Sequence, residues 1–332
     1  MIARDFFCLN PNYSTTRLVT KEQPIVENDP TSKVQKQLFL PSHKRQGNGG
    51  LRINGYFKRN LETKPLVSII TVVYNGCAYI AQTIESVLSQ SYDNVEYIII
   101  DGGSTDGTVD IIQKYEHAID YWVSEPDNGI YDAMNKGIQV ACGEWIWMLN
   151  ADDYLTNDAI QKVFLEKTNN FPDSVAIYGC LIKSFNGFNL VIGKRSLSYD
   201  KKLINFNHPA TIMHCSLFKK YGAFDVAYRL SSDYDFFMRL VRNGIKFDFV
   251  DEVLATMRLD GSSDRVANYF RRGKEHFAID KKYFSYFVVV KNLILFFTRD
   301  FIKFIIRKAL IKQRYLYPLR LYFSRKNEYI VR

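Results

Sequence analysis

The sequence predicts an α/β fold: a doubly wound, mostly parallel sheet, with an irregular N-terminal arm before it and an amphipathic helical tail after it. Three observations carry this prediction. Between Leu66 and Asp153, apolar β-branched runs alternate strictly with helical periodicities, a pattern that implies right-handed crossovers and strands covered on both faces. Residues 1–64 hold no sustained period and are broken by Pro11, Pro24, Pro30, Pro41 and the glycines of 47–50. The last fifty residues crowd cations beside long apolar runs.

The run Leu66 to Asn75 reads as the first strand. Ile80, Ala81, Ile84, Val87 and Leu88 recur at the spacing of one buried helical face, and Ser89 to Asn94 stop that helix. Val95 to Ile100 forms the second strand and runs into D-G-G-S-T-D-G-T, where glycines permit a sharp turn and Ser104, Thr105 and Asp106 cap the next helix. Ile119 to Ser124 is the third strand. Its helix follows with Ile130, Ala133, Met134, Gly137, Ile138 and Ala141 as the apolar stripe. Trp145 to Leu149 is the fourth strand, ending in N-A-D-D. Ligands of such sheets lie beyond the carboxyl ends of the strands, which is where Tyr74, Asn75, Asp101 and Asp152 fall. Farther on, Thr156 to Lys167 reads as a capped helix, Val175 to Tyr178 as a strand and Leu181 to Ile192 as a hairpin.

Composition bounds the function. The 332 residues are 47% apolar and 24% charged, ordinary for a globular chain with a sizeable core. Five widely spaced cysteines without a C-x-x-C pair argue for a reducing compartment and against structural zinc. The first residues lack the apolar core of a signal peptide, so a cytoplasmic protein is expected. Residues 281–332 hold thirteen bases and two acids, a net +11, whereas residues 1–280 hold 31 bases and 33 acids, a net −2. The basicity therefore belongs to the tail.

The D-G-G-S-T-D-G-T turn is neither a dinucleotide fingerprint, since G-x-G-x-x-G is missing, nor a P-loop, since no G-K-[ST] follows. An EF-hand is excluded because Asp106 stands where that loop needs glycine. What remains is a strand-end carboxylate followed by a tight turn.

Four pieces in order, S-I-I-T-V-V-Y-N at Ser68 to Asn75, I-I-I-D-G-G-S-T-D-G-T at Ile98 to Thr108, D-N-G-I-Y-D-A-M-N-K-G at Asp127 to Gly137 and L-N-A-D-D at Leu149 to Asp153, resemble the family 2 glycosyltransferases with their GT-A nucleotide-binding fold. The resemblance runs from Pro65 to about Gly261. It implies an inverting transferase that binds a nucleotide-sugar donor through Thr71, Tyr74, Asn75, Asp101, Asp127, Asn135 and Asp152, with Mg²⁺ or Mn²⁺ on Asp152 and Asp153. Chemistry agrees: a departing nucleoside diphosphate develops charge that one hard cation on one or two carboxylates can neutralise. Later, L-S-S-D-Y-D-F-F-M-R-L matches a helix whose first-turn Asp supplies the base, here Asp233, with Ser232 in place of its usual acidic neighbour. Gly102, Met134 and Asn150 depart from the family, which commonly has Asp, Arg and Asp there. His208 and His214 read as core or acceptor-pocket residues. Arg258 and Arg265 flank a loop that could lie over the diphosphate.

Domain limits follow: an arm at 1–64, a catalytic body at 65–265 divided at 153 into donor and acceptor halves, and a basic tail at 266–332. Neither apolar run of the tail, Tyr283 to Val290 or Asn292 to Thr298, approaches the roughly 20 residues of a spanning helix. A face of Phe287, Leu293, Phe296, Phe297, Phe301, Ile302 and Ile305 among Lys303, Arg307, Lys308 and Lys312 suits an anionic membrane surface. Nucleic acid is not expected, because the aromatics lie in apolar runs instead of singly between charges. The expected function is sugar transfer to a lipid-linked glycan in surface polysaccharide assembly. The alternatives are a nucleotide-sugar scaffold or sensor, and a sugar-nucleotide pyrophosphorylase, whose basic loop after the first strand is not found in V-V-Y-N-G-C-A-Y.

Overall fold

A computed structural model describes residues 6–26, 28–42, 44–185, 188–193, 207–258, 266–300 and 328–331. In chain order the elements are β1 (Gly47–Gly49), β2 (Val67–Val73), α1 (Ile80–Leu88), β3 (Val95–Asp101), α2 (Thr108–Lys114), β4 (Tyr121–Ser124), α3 (Ile130–Val140), β5 (Trp145–Asn150) and β6 (Tyr154–Leu155). There follow α4 (Ala159–Asn170), β7 (Ala176–Phe185), β8 (Phe188–Ile192), β9 (Thr211–His214), α5 (Cys215–Tyr221), α6 (Ser232–Arg242), β10 (Asp248–Arg258), α7 (Val266–Tyr283), α8 (Tyr286–Leu295) and β11 (Glu328–Val331). The strands form one mixed sheet in the order β1-β4-β3-β2-β5-β9-β7-β10-β6, with β8 on β7 and β11 on β8. Strands β4, β3, β2 and β5 are parallel, and β9 runs against both β5 and β7.

All seven residues of β2 and of β3 are buried, as expected of strands with helices on both sides. Val67, Ile69 and Val73 join α1, α2 and α4 in one core, while Ile70 and Val72 join α3, α5 and α6 in the other. The period-two alternation of one strand thus feeds two cores. Helix α3 lies so close to β2 that a Cβ on Gly137 would meet Ile70 Cγ2 at 2.3 Å, which is why N-K-G ends that motif. The chain winds outward through β2, β3 and β4, then returns to β5 on the other side of β2. A crevice opens where the winding reverses.

Two expectations need correction. Strand β7 runs unbroken through Cys180, because its partners β10 and β9 extend the pairing on both sides. Helix α4 begins at Ala159 after Asp158 in a left-handed conformation, three residues later than expected and without a side-chain cap. The arm packs along the body: β1 pairs with β4, Ser14 Oγ donates to Val87 O at 2.8 Å, and Arg52 reaches Val140 O at 3.0 Å. Its guanidinium, 3% exposed, also pairs with Glu96 at 2.5 Å inside the protein. Helix α7 is tied to α6 and to the loop before it. Glu275 accepts from the Arg229 and Leu230 N–H groups at 3.0 and 2.9 Å, Tyr234 Oη donates to buried Asp280 at 2.7 Å, and Lys282 and Tyr283 both reach Asp235 at 3.2 Å.

Candidate active site

The carboxyl ends of β2, β3 and β5 and the first turns of α3 and α6 converge at the crevice. Asp101 ends β3 fully buried; its carboxylate accepts from the Gly103 and Ser104 N–H groups at 3.1 and 2.9 Å, from Ser124 Oγ at 2.6 Å and from Ser104 Oγ. This D-G-G-S turn is therefore tied to its own acid. Asn75, in a left-handed conformation (φ 51°), binds the same turn from the β2 side: its N–H donates to Ser104 Oγ at 2.7 Å and its Oδ1 accepts from Thr105 N–H at 2.9 Å. Beside it, Tyr74 is exposed.

Asp127 leans into the space left by Gly102, where a Cβ would come within 2.5 Å of its Oδ2. The absent side chain at 102 is thus replaced by another residue's carboxylate. Asp127 Oδ1 accepts from Gly129 N–H at 2.7 Å, and burial pushes its pKa up.

At the end of β5 the Thr83 hydroxyl lies 2.7 Å from both the Ala151 and Asp153 carbonyls and pins the N-A-D-D turn to α1. Asp152 is half-buried. Asp153 is 1% exposed and serves as a strap: Oδ1 accepts from Arg258 N–H at 3.2 Å and Oδ2 from Asn150 Nδ2 at 3.3 Å. Burial first, and the neighbouring Asp152 charge second, push its pKa well up. Arg258 stays at the edge of the site, its guanidinium over Tyr79 and Tyr154, whereas Arg265 lies outside the described residues, as do Lys303, Arg307, Lys308, Lys312, Phe301, Ile302 and Ile305.

Asp233 stands in the first turn of α6 with 26% of its side chain open. Tyr131 Oη donates to its Oδ1 at 2.8 Å, and His208 Nδ1 lies 3.5 Å from its Oδ2. The other ring nitrogen of His208 is 3.0 Å from Asn150 Nδ2, so the imidazole spans from the N-A-D-D turn to Asp233. Burial works to raise the Asp233 pKa, but the hydrogen bond and charge of His208, the Tyr131 hydroxyl and the Tyr234 N–H outweigh it and hold it below the usual carboxylate range.

Two expected donor residues are not at the crevice surface. Thr71 is fully buried within β2 beneath Tyr97, whose hydroxyl is 3.1 Å away. Asn135 spends both ends of its amide on the Phe224 backbone, at 2.8 and 2.9 Å, and so joins α3 to the segment before α6. His214 caps α5 at the opposite end of β5 from the crevice. Tyr131 escaped the sequence reading, because the apolar stripe of α3 was phased on Ile130, which is 40% exposed, instead of on Tyr131, which is 7% exposed.

Among the described residues no group of three or more His, Cys, Asp or Glu could hold a metal. The oxygen donors present do suit a hard cation shared with a diphosphate, which takes only one or two protein ligands: Asp152 offers a carboxylate, and Asn150 Oδ1 is buried without a hydrogen-bond partner. Asp153, expected as a second ligand, is turned to the Arg258 backbone instead.

The acids of this mixed α/β sheet gather at the carboxyl ends of β2, β3 and β5, where its winding reverses. The family model for glycosyl transferase family 2 matches residues 68–227. An uncharacterised glycosyltransferase of Mycobacterium tuberculosis is 32% identical over 183 residues, 54% of this chain and 70% of the relative. A PGL/p-HBAD biosynthesis glycosyltransferase of Mycobacterium bovis is 31% identical over 187 residues, 54% and 71% of the two chains. The chain belongs to glycosyl transferase family 2 and is a glycosyltransferase. Among solved structures, a mannosyltransferase of Pyrobaculum calidifontis in complex with GDP-Man and Mn²⁺ matches with a TM-score of 0.52 at 18% identity, covering 66% of this chain and 64% of that one. S. aureus TarS in complex with UDP-GlcNAc matches at 0.51 and 19%, covering 64% and 66%. The fold is that of the GT-A glycosyltransferases, and this chain spans about two thirds of those two.

Proposed function

We propose that this enzyme moves one hexosyl or N-acetylhexosaminyl unit, from a UDP-sugar foremost, to a hydroxyl of a lipid-linked glycan, with Mg²⁺ or Mn²⁺ and inversion at the anomeric carbon. The observation that carries this reading is the run of polar contacts Asn150–His208–Asp233–Tyr131, at 3.0, 3.5 and 2.8 Å, which joins the N-A-D-D turn to a partly open carboxylate. Asp233 takes the proton from the acceptor hydroxyl as that oxygen attacks, and its depressed pKa keeps it ionised before that step. Asp152, with Asn150 Oδ1, would hold the cation, whose charge supports the departing diphosphate. Asp127, over Gly102, faces the nucleoside side of the crevice.

An inner-leaflet place of action belongs to the same proposal, and the exposed apolar side chains of α8 and the turn after it support it. Tyr286 and Phe287 are 84% and 78% exposed, and Ile294 and Phe297 are 57% and 53% exposed, with Lys281 and Lys291 also at the surface. Such a face beside cations fits the inner leaflet of a cell membrane. No helix of the described residues is long and apolar enough to cross a membrane. Two members of the expected face pack inward: Phe296 stacks on Tyr269 at 4.5 Å, and Leu293 lines the cleft between α7 and α8.

The decisive experiment measures release of nucleoside diphosphate from UDP-GlcNAc, UDP-glucose and GDP-mannose by the full chain with Mn²⁺, Mg²⁺ or EDTA, with and without a polyprenyl-linked sugar acceptor. Metal-dependent release from one donor, raised by the acceptor, supports the reading. Binding without release from any donor would leave a scaffold and remove the transferase mechanism.

A further inference from the structure

Resting on the reading of Asp233 as the base, we infer that Tyr131 is its positioning residue, a phenol that fixes the carboxylate and sets the pH range in which it works. Tyr131 opens α3 on the donor side, while Asp233 opens α6 on the acceptor side, and the two hydroxyl and carboxylate oxygens meet at 2.8 Å. Its ring is buried against Phe224, with centroids 5.5 Å apart, and the Phe224 backbone is in turn held by Asn135. Rotation of the phenol is thereby restricted. The hydroxyl has a single acceptor, and burial first, then the Asp233 charge, push its pKa far up. It stays a donor throughout the working range.

The consequence for chemistry follows from which oxygen is held. With Oδ1 held by the Tyr131 hydroxyl and Oδ2 facing His208 at 3.5 Å, turning the carboxylate breaks the phenol hydrogen bond, which favours one direction for the remaining lone pairs. An acceptor hydroxyl then meets an oriented base, the kind of alignment whose loss by about 1 Å costs on the order of 10²-fold in rate. The groups facing Asp233 are Tyr131 from α3, His208 from the turn before β9 and the Tyr234 N–H of α6, with Glu275 of α7 acting on Tyr131. Removing the phenol hydroxyl takes away one donor that favours the anion, so the Asp233 pKa rises and the acid limb of kcat/KM moves to higher pH.

The test follows nucleoside diphosphate release by the full chain, from whichever of UDP-GlcNAc, UDP-glucose and GDP-mannose turns over fastest, from neutral pH down to the lowest pH at which the chain stays folded, so that a limb below the usual carboxylate range is followed as far as folding allows. Tyr131→Phe should lower kcat about 10-fold, leave KM for the donor near its original value and move the acid limb upward. Incorporation of 3-fluorotyrosine in place of Tyr131, a stronger donor of nearly the same shape, should move the limb downward, which keeps the test valid if the Phe variant folds poorly. Phe224→Leu disturbs the same packing without touching the hydroxyl and should lower the rate without moving the limb. If both Tyr131 replacements leave the limb in place, the residue only packs and the inference is wrong. Asp233→Asn separates the two claims: retention of the acid limb in that variant removes Asp233 as the base, whatever Tyr131 does.

Discussion

Asp233 occupies a helix first turn, where acids are common because they favour the helix dipole and need no catalytic reason. Its setting separates it from that background, since both oxygens are engaged and a quarter of the side chain is open. Asp233→Asn should cut turnover by about 10² to 10⁴ with donor affinity nearly unchanged, the usual contribution of a general base; steady-state rates with a donor-binding isotherm decide, and collapse of donor binding would assign the residue to the binding site. Asp152→Asn should abolish the part of turnover that EDTA removes and leave thermal unfolding unaltered, and full metal-stimulated activity in that variant would exclude the carboxylate as a ligand. Much of this site was legible, because Asp101, Asp127 and the N-A-D-D acids sit at strand and helix ends that periodicity alone marks. Tyr131 was not, because Ile130 satisfies an apolar stripe as well as an aromatic does and the helix phase differs by one residue. Nor was the strap role of Asp153, since its partner Arg258 is 105 residues away in sequence.

At the scale of elements, the alternating core β2-α1-β3-α2-β4-α3-β5 follows from local pattern, and the structure agrees with it within a few residues. The arm resisted for a physical reason: its order comes from partners distant in sequence and not from any period of its own. Arg52 shows this, buried by contacts to Leu38, Glu96 and Val140. Removing one member of such a buried pair strands the other charge, so Arg52→Met should destabilise by about 3 to 5 kcal/mol in urea unfolding. A loss below about 1 kcal/mol would mean that the arm contributes little to the body. Asp120 lies close by, buried on β4's approach and accepting from Tyr97 N–H at 2.8 Å. Burial raises its pKa to about 7. The folded state then holds a proton that the unfolded chain releases near pH 4, so this group's stabilisation is complete below about pH 4 and is lost as pH rises to about 7. Asp120→Asn keeps an acceptor for Tyr97 and should flatten that fall, measured as the urea midpoint across pH 4 to 8.

For the whole molecule, the +11 of residues 281–332 set against −2 elsewhere predicts orientation on an anionic surface. Each cation near such a leaflet contributes on the order of 1 kcal/mol, screened over about 8 Å at physiological salt. Co-sedimentation with anionic liposomes should fall steeply with salt but not vanish, because Phe287, Ile294 and Phe297 add an apolar contribution that salt does not weaken. Equal binding to neutral vesicles, or none to either, would reassign the face to protein contacts. The contacts of Lys282 and Tyr283 to Asp235 argue against ending a shortened chain near Asp280. Ending near Thr298 preserves them and is the truncation to compare.

Asp280 bridges three helices, accepting from Tyr234 of α6 at 2.7 Å and from Asn292 of α8 at 3.1 Å. Tyr234 is the immediate neighbour of Asp233, so the surface-facing helix and the residue beside the proposed base share one buried carboxyl group. Recombination between relatives would therefore not treat the C-terminal hairpin as a detachable cassette. A crossover placed between β10 and α7 parts Asp280 and Glu275 from the segment they hold, whereas one placed before Asp225 transfers that segment, α6 and the hairpin as one heritable block.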